Sequence, residues 1–329
     1  MGCDQMTLSD LQAVYETSFF DLLSRARATF QENWTGRQVQ LCTLLSIKTG
    51  GCSEDCAYCA QSARYQTGIR NERLMDRGSV LQMARLAKEN GSTRFCMGTA
   101  WKGVRDGEAK FEQVLGIVRD VSQLGMEVCV TLGQLSLREA QKLRAAGVTA
   151  YNHNIDTSPE FYPRIVSTHS FRDRLNTIKA VQEAGISVCC GGIIGMGESE
   201  LDRLKMLEVL TNLEPQPESV PINCLVPMPG TPLEHQPPVD VFELIRLIAT
   251  TRIVLPKARV RLSAGRTRLS REAQALCFFA GANSIFYGDK LLTARNPGVE
   301  EDRALLKALD LEPESRLGAT PDDKCQNDR

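Results

Sequence analysis

Residues 79–100 read "SVLQMARLAKENGSTRFCMGTA", and how this stretch is read decides the fold. Its first half is a helical pattern that stops at Gly91, the residue type that most often follows a helix C-terminus. Its second half, "TRFCMGTA", is a short β-rich run. Similar runs occur along the whole chain: "QVQLCTLLSI", "MEVCVTL", "AYNHNID", "ISVCCGGIIG", "ESVPINCLVP", "ARVRLSAG" and "SIFYG". Helical patterns follow them, as in "LREAQKLRAAG", "FRDRLNTIKAVQEAG" and "VFELIRLIATTRIV". Strands that alternate with helices form a parallel sheet in an α/β fold. Eight such units point to a (β/α)8 TIM-type barrel. A doubly wound open sheet is the alternative, because periodicity does not show closure.

Outside this alternation, "TLSDLQAVYETSFFDLLSRARATFQENW" opens with capping chemistry and has helical spacing. The expected organisation is an N-terminal helical extension over 1–37, a barrel over 38–310, and a polar, flexible tail over 311–329 that includes Cys325. The 39 basic and 40 acidic residues balance to a net charge of −1. That leaves no electrostatic footprint for nucleic acid or an anionic membrane and favours small-molecule chemistry. No window approaches the roughly 20 apolar residues of a membrane helix. The N-terminus "MGCDQMTLSD" lacks a signal-peptide core, and Met6 breaks the myristoylation pattern. A cytoplasmic protein is expected, so the twelve cysteines read as ligands, catalytic groups or small buried hydrophobes.

Residues two apart on a strand share a face, so Arg94, Cys96 and Gly98 point one way. Asn152, Asn154 and Asp156 form a second such set, and Arg261, Ser263 and Gly265 a third. Polar groups facing a barrel lumen are costly unless paired, which marks these positions as candidate site residues. Cys189 and Cys190 are adjacent, so a regular strand sends only one of them inward unless "GG" makes a bulge.

The spacing C-x3-C-x2-C in "CSEDCAYC" places Cys52, Cys56 and Cys59 in the loop after the first strand, on the face where barrels carry their sites. Three uses compete. A zinc site needs further ligands, and His153, His169 and His235 are all distant in sequence. A redox C-x2-C explains only Cys56 and Cys59. A [4Fe–4S] cluster on three thiolates leaves one iron open to a non-protein ligand.

With Tyr58 just before its last cysteine, "CSEDCAYC" resembles the signature of the radical S-adenosylmethionine (SAM) enzymes. Together with "RFCMGTAWKG", "YNHNIDTSPEFY", "ESVPINCLVPMPGTPL", "VRLSAGR" and "CFFAGANSIFYGDKLLT" it is similar to the biotin synthases, from about residue 5 to 310. The resemblance implies that Cys52, Cys56 and Cys59 hold a [4Fe–4S] cluster whose open iron takes SAM, and that the SAM-derived radical abstracts hydrogen from dethiobiotin. It also implies a [2Fe–2S] cluster on Cys96, Cys129, Cys189 and Arg261 that supplies sulfur. Tyr58, Asn154, Asp156 and Arg174 are then placed beside SAM, and Asn152, Asn154 and Asn223 on the ureido ring of dethiobiotin. A flavodoxin- or ferredoxin-type electron donor and a homodimer follow from the same likeness.

Read as residues alone, these positions have plainer uses. Each lumen cysteine reads as a packed thiol. Arg261 reads as a buried ion-pair partner of Asp156, Arg174 as a solvated surface charge, and His153 as structural on the far side of its strand. Cys190 departs from the family pattern, which has a small non-ligating residue there. The rival functions are a radical SAM enzyme with another product, an iron–sulfur scaffold or electron carrier, and a zinc-binding barrel.

Overall fold

A computed structural model describes residues 5–314. Its strands are β1 (Gln38–Lys48), β2 (Arg94–Thr99), β3 (Glu127–Thr131), β4 (Ala150–Asn152) and β5 (Ser187–Cys189). They continue with β6 (Gly192–Ile194), β7 (Ser219–Cys224), β8 (Arg259–Leu262), β9 (Ser284–Phe286) and β10 (Glu312–Pro313). Parallel pairing runs from β1 to β5 in sequence order, then through β7 and β8 to β9. β9 pairs back onto β1, with Gln40, Leu41 and Cys42 opposite Ser284, Ile285 and Phe286. That contact closes the barrel and removes the open-sheet alternative. Counting β5 and β6 as one interrupted strand gives the eight expected from the alternation.

Helices α1 (Leu8–Tyr15) and α2 (Phe19–Asn33) precede the barrel, so the extension is two helices, broken at Thr17 and Ser18. The barrel helices are α3 (Arg77–Glu89), α4 (Ala109–Gln123), α5 (Leu137–Ala146), α6 (Phe171–Glu183) and α7 (Glu200–Thr211). α8 (Val241–Val254), α9 (Arg271–Phe279) and α10 (Val299–Ala308) follow. Their starts are written in the sequence: Ser136, Ser170 and Ser199 form capping boxes with Glu139, Asp173 and Asp202. No described helix is long and apolar enough to cross a membrane.

Strand parity sorts the interior into two layers. Leu41, Phe95, Val128, Tyr151, Val188 and Val260 face the helices and build the main core. Cys42, Cys96, Cys129 and Ala150 form a separate small cluster with Leu44 and Phe286 inside the barrel. Arg94, at the first residue of β2, donates to Glu127 (2.8 Å) and Glu218 (3.0 Å), and Arg259 on β8 donates to Glu218 (3.0 Å). These pairs floor the lumen at the N-terminal end of the strands. Arg94 therefore shares the inward face with Cys96 as parity requires, but it serves the floor.

Outside the barrel, α1 and α2 pack on α7 and α8. Among the described residues the Arg252 guanidinium of α8 has no carboxylate partner. It donates to the carbonyls of Pro256, Ala258 and Gly281 and to the side chain of Asn283, beneath the rings of Phe30 and Trp34. Burial brings it down to about 9. Glu312 and Pro313 pair with Gln38 and Val39, and Glu314 receives Arg259. Cys325 lies outside the described residues.

The break between β5 and β6 depends on a glycine with no room for a side chain. A Cβ on Gly191 would stand 2.1 Å from the carbonyl oxygen of Pro221, which is backbone and does not yield. We expect Gly191→Ala to destabilise the fold by about 1–3 kcal/mol through overpacking, read as a lowered urea midpoint. An unchanged midpoint would show that the two strands separate freely here.

Candidate active site

The loop after β1 is held by its own backbone and by the segment after β4. The Cys52 N–H donates to Gln61 O (3.0 Å), the Ala63 N–H to Cys52 O (2.7 Å) and the Cys59 N–H to Cys56 O (2.9 Å). Lys48 reaches the Gly50 carbonyl and the Asn71 side chain. Asp55 accepts from the N–H groups of Ser167 (3.0 Å) and Thr168 (3.1 Å) and from both hydroxyls. Burial works against the Asp55 charge, but these hydrogen bonds outweigh it and hold the carboxyl well below its usual range. Glu54 is likewise opposed by burial and lowered by Thr168, Lys102 and His169.

The three thiols of this loop line one cavity of about 350 Å³ at the C-terminal end of the strands. Burial pushes all three up, Cys59 to about 11. They are neutral thiols that a bound cation would convert to thiolates. Among the described residues no three His, Cys, Asp or Glu side chains converge as the ligands of a single ion do.

Asp156 faces them across the cavity. Its φ of +68° is left-handed, uncommon for a non-glycine residue. Two backbone contacts keep it there: its N–H donates to Gly191 O (3.3 Å), and the Ile193 N–H donates to its carbonyl (2.8 Å). The carboxylate accepts from Tyr58 Oη (2.8 Å) and pairs with Arg174 Nη2 (2.7 Å), while Arg174 Nε donates to Tyr162 Oη (2.7 Å). The side chains of Arg174 and Asp156 are 11% and 3% exposed. Arg174 is therefore not a surface charge, and it, not Arg261, is the partner of Asp156.

Asn152, Asn154 and Asn223 also line the cavity. Asn154 Oδ1 accepts from Gly191 N–H (3.2 Å), and Asn223 Nδ2 donates to Gly192 O (3.0 Å). His153 lies on the Tyr151 side of its strand, the rings 6.2 Å apart, yet it too borders the cavity, and its buried Nε2 has no hydrogen-bond partner among the described residues.

The lumen cysteines lie below this cavity. Cys96 is opposite Cys129 in the β2–β3 register, and Asn152 is opposite Cys189. Asn152 Nδ2 and Arg261 Nη1 each stand 3.4 Å from Cys189 Sγ. The hydrogen bond from Cys129, with the charges of Arg261 and Arg94, brings the Cys189 thiol down to about 7 against the pull of burial. Arg261 Nε donates to Ser284 Oγ (2.9 Å). Burial works against its charge, but the thiols of Cys42, Cys189 and Cys96 more than offset that and hold it protonated. Cys190 sits in the outer core among the helices, so the adjacent pair does split between the two faces.

Leu44, Phe286 and Asn152 both line the cavity and touch the thiol layer, so they separate the two thiol sets. Sequence reasoning missed the Glu54–His169–Lys102 network and Tyr162, which had no spacing signal, and Cys42, which looked like one more apolar strand residue.

The "Radical SAM superfamily" description matches residues 46–210, and that of the "Biotin and Thiamin Synthesis associated domain" matches 221–312. The two matches meet inside the one closed barrel. The chain is 57% identical to the biotin synthase of Sorangium cellulosum, over 93% of this chain and 88% of that protein. It is 55% identical to the biotin synthase of Synechococcus elongatus, over 93% and 95%. Among solved structures, methylornithine synthase superposes with a TM-score of 0.78 at 20% identity, covering 94% of this chain and 95% of that one. The hydrogenase maturase HydG reaches 0.80 at 17%, covering 94% and 72%. At such identities the structures speak for the barrel alone.

Removing the Asp156 carboxylate leaves the buried Arg174 guanidinium without its counter-charge. We expect Asp156→Ala to cost about 3–5 kcal/mol in chemical denaturation. A loss below about 1 kcal/mol, the range of an exposed pair, would mean that solvent reaches this pair.

Proposed function

The chain belongs to the biotin synthase family, and on that premise we propose how its residues divide the work around one cavity. Its activity is the radical SAM insertion of sulfur into dethiobiotin to give biotin. The observation that carries the assignment is the placing of one thiol set on the wall of a cavity and a second beneath it, with Asn152, Leu44 and Phe286 between them.

Cys52, Cys56 and Cys59 would hold a [4Fe–4S] cluster, with SAM at its open iron. Cys96, Cys129, Cys189 and Arg261 would hold a [2Fe–2S] cluster. The first cluster with SAM supplies hydrogen abstraction, and the second supplies sulfur. The donor sets fit: three neutral thiols wall the cavity, and below it a row of thiols ends at an arginine.

Asp156 presents acceptor oxygens to the ribose hydroxyls of SAM, and Tyr58 and Arg174 keep that carboxylate in place. The Arg174 charge also faces the SAM carboxylate, and Asn154 borders both small molecules. Asn152, Asn154 and Asn223 bind the ureido ring, since amides match a neutral urea with both donors and acceptors. Leu44, Phe286 and Ile193 give the cavity apolar wall for the alkyl part of dethiobiotin. A protonated guanidinium has no lone pair, so Arg261 must shed a proton to meet iron. A ligand held so weakly suits a cluster that gives up a sulfide. Family membership alone supports the rest of the proposal: a flavodoxin- or ferredoxin-type electron donor, a homodimer and a cytoplasmic location.

Anaerobic incubation with SAM, a reductant and dethiobiotin tests the assignment by mass analysis. The expected products are methionine, 5′-deoxyadenosine and biotin, and the absence of both 5′-deoxyadenosine and a sulfur-containing product would overturn it. The split of the adjacent cysteines gives a second expectation. Cys189→Ala loses the iron and sulfide of the second cluster, whereas Cys190→Ser keeps them. Equal losses in the two variants would remove Cys189 from the ligand set.

A further inference from the structure

All ten described cysteines are free thiols, and the assignment above uses six of them. Cys190 and Cys277 are packed in the outer core, where apolar neighbours account for them, and Cys224 belongs to that core and edges the cavity away from the lumen cysteines. Cys42 is different. It is completely buried, and it belongs to the small inner cluster with Cys96 and Cys129.

Its position is fixed from two sides. In the β1–β9 register it stands opposite Phe286, and it packs with Cys96 in the inner cluster. It also shares both of its other polar neighbours with Arg261. Cys42 Sγ lies 3.3 Å from Gln40 Oε1 and 3.7 Å from Ser284 Oγ. Arg261 Nη2 lies 3.4 Å from the same Gln40 oxygen, and its Nε 2.9 Å from the same Ser284 hydroxyl. The two side chains therefore flank one point. From there the inward cysteines of β1, β2 and β3, Cys42, Cys96 and Cys129, and that of β5, Cys189, run across the lumen until Cys189 meets Arg261 again.

A two-iron cluster is ordinarily held by four thiolates. The row supplies four without Arg261, and thiolate sulfur is the softer and better ligand for such iron. We propose that Cys42 is an alternative ligand of the second cluster, taking the iron position of Arg261 whenever that side chain withdraws. The proposal rests on Cys96, Cys129 and Cys189 holding that cluster. The exchange balances without electron transfer. The iron–nitrogen bond breaks, an iron–sulfur bond forms, and the proton leaving the thiol restores the departing guanidine to guanidinium. Ser284 Oγ, within reach of both groups, can pass it across. Iron is then held by protein sulfur at the stage when an inorganic sulfide is lost.

Four proteins test this after anaerobic reconstitution with ferrous iron and sulfide: the wild type, Cys42→Ser, Arg261→Ala and Arg261→Ala/Cys42→Ser. Iron and sulfide per chain are measured, with resonance Raman spectra of the iron–thiolate stretches. Both single variants are expected to keep the second cluster. The Arg261→Ala spectrum gains iron–thiolate intensity that moves on labelling cysteine with heavy sulfur. The double variant loses the second cluster and keeps the first, which also reports that it is folded. Because a serine oxygen can itself bind iron, Arg261→Ala/Cys42→Ala repeats the test with no donor at that position. Loss of the second cluster in Arg261→Ala alone, or its retention in both double variants, overturns the proposal. A wild-type protein that takes up only the first cluster overturns the parent assignment and this one with it.

Discussion

Gln40, Leu41 and Cys42 on β1 pair with Ser284, Ile285 and Phe286 on β9, strands separated by nearly the whole chain. Until they meet, the sheet has two open edges and the lumen has no inside. Once they meet, Ser284 lies between Gln40 and Arg261, and the thiols of β1, β2, β3 and β5 turn toward a common interior. The same strand, eleven residues long, goes on beyond the closure and delivers Cys52, Cys56 and Cys59 to the rim. One long strand thus joins the wall of the lower layer to the upper one. Displacing it would cost both sites together.

The two layers differ electrostatically at one thiol. At the rim, burial keeps three thiols neutral, and the charges beside them are paired or hydrogen-bonded: Asp156 with Arg174, Glu54 with Lys102, and Asp55 with Ser167 and Thr168. Below, Cys42, Cys96 and Cys129 are raised as well, and Cys189 is brought down by Cys129 and by the charges of Arg261 and Arg94. Asn152 spans the two levels, its amide nitrogen shared between Asn154 and the Cys189 sulfur. A neutral polar group at that junction joins the levels without adding a charge that the low-dielectric interior would have to balance.

Local patterns were enough for much of the fold. Eight β-rich runs with helices between them, parity for Arg94, Cys96 and Gly98, and the splitting of Cys189 from Cys190 all follow from repeats of two and 3.6 residues. The three-cysteine spacing is local too. What stayed hidden depends on long-range pairing. Arg174 has the sequence of an amphipathic helix, and only Asp156, eighteen residues earlier, and the packing of α6 on β5 bury it. Asp156 adopts a backbone conformation that no side-chain pattern announces. Cys42, between Leu41 and Thr43, looks like any small strand residue until closure sets it beside Ser284.

The ion pairs of Arg94, Glu127, Glu218 and Arg259 close the barrel bottom, and the cavity lies at the other end of the strands. The deepest thiols therefore sit beneath Asn152, Leu44 and Phe286, which also line that cavity. Whatever fills the upper chamber would act as a stopper, and a group held below it would be sheltered for as long as the chamber is occupied.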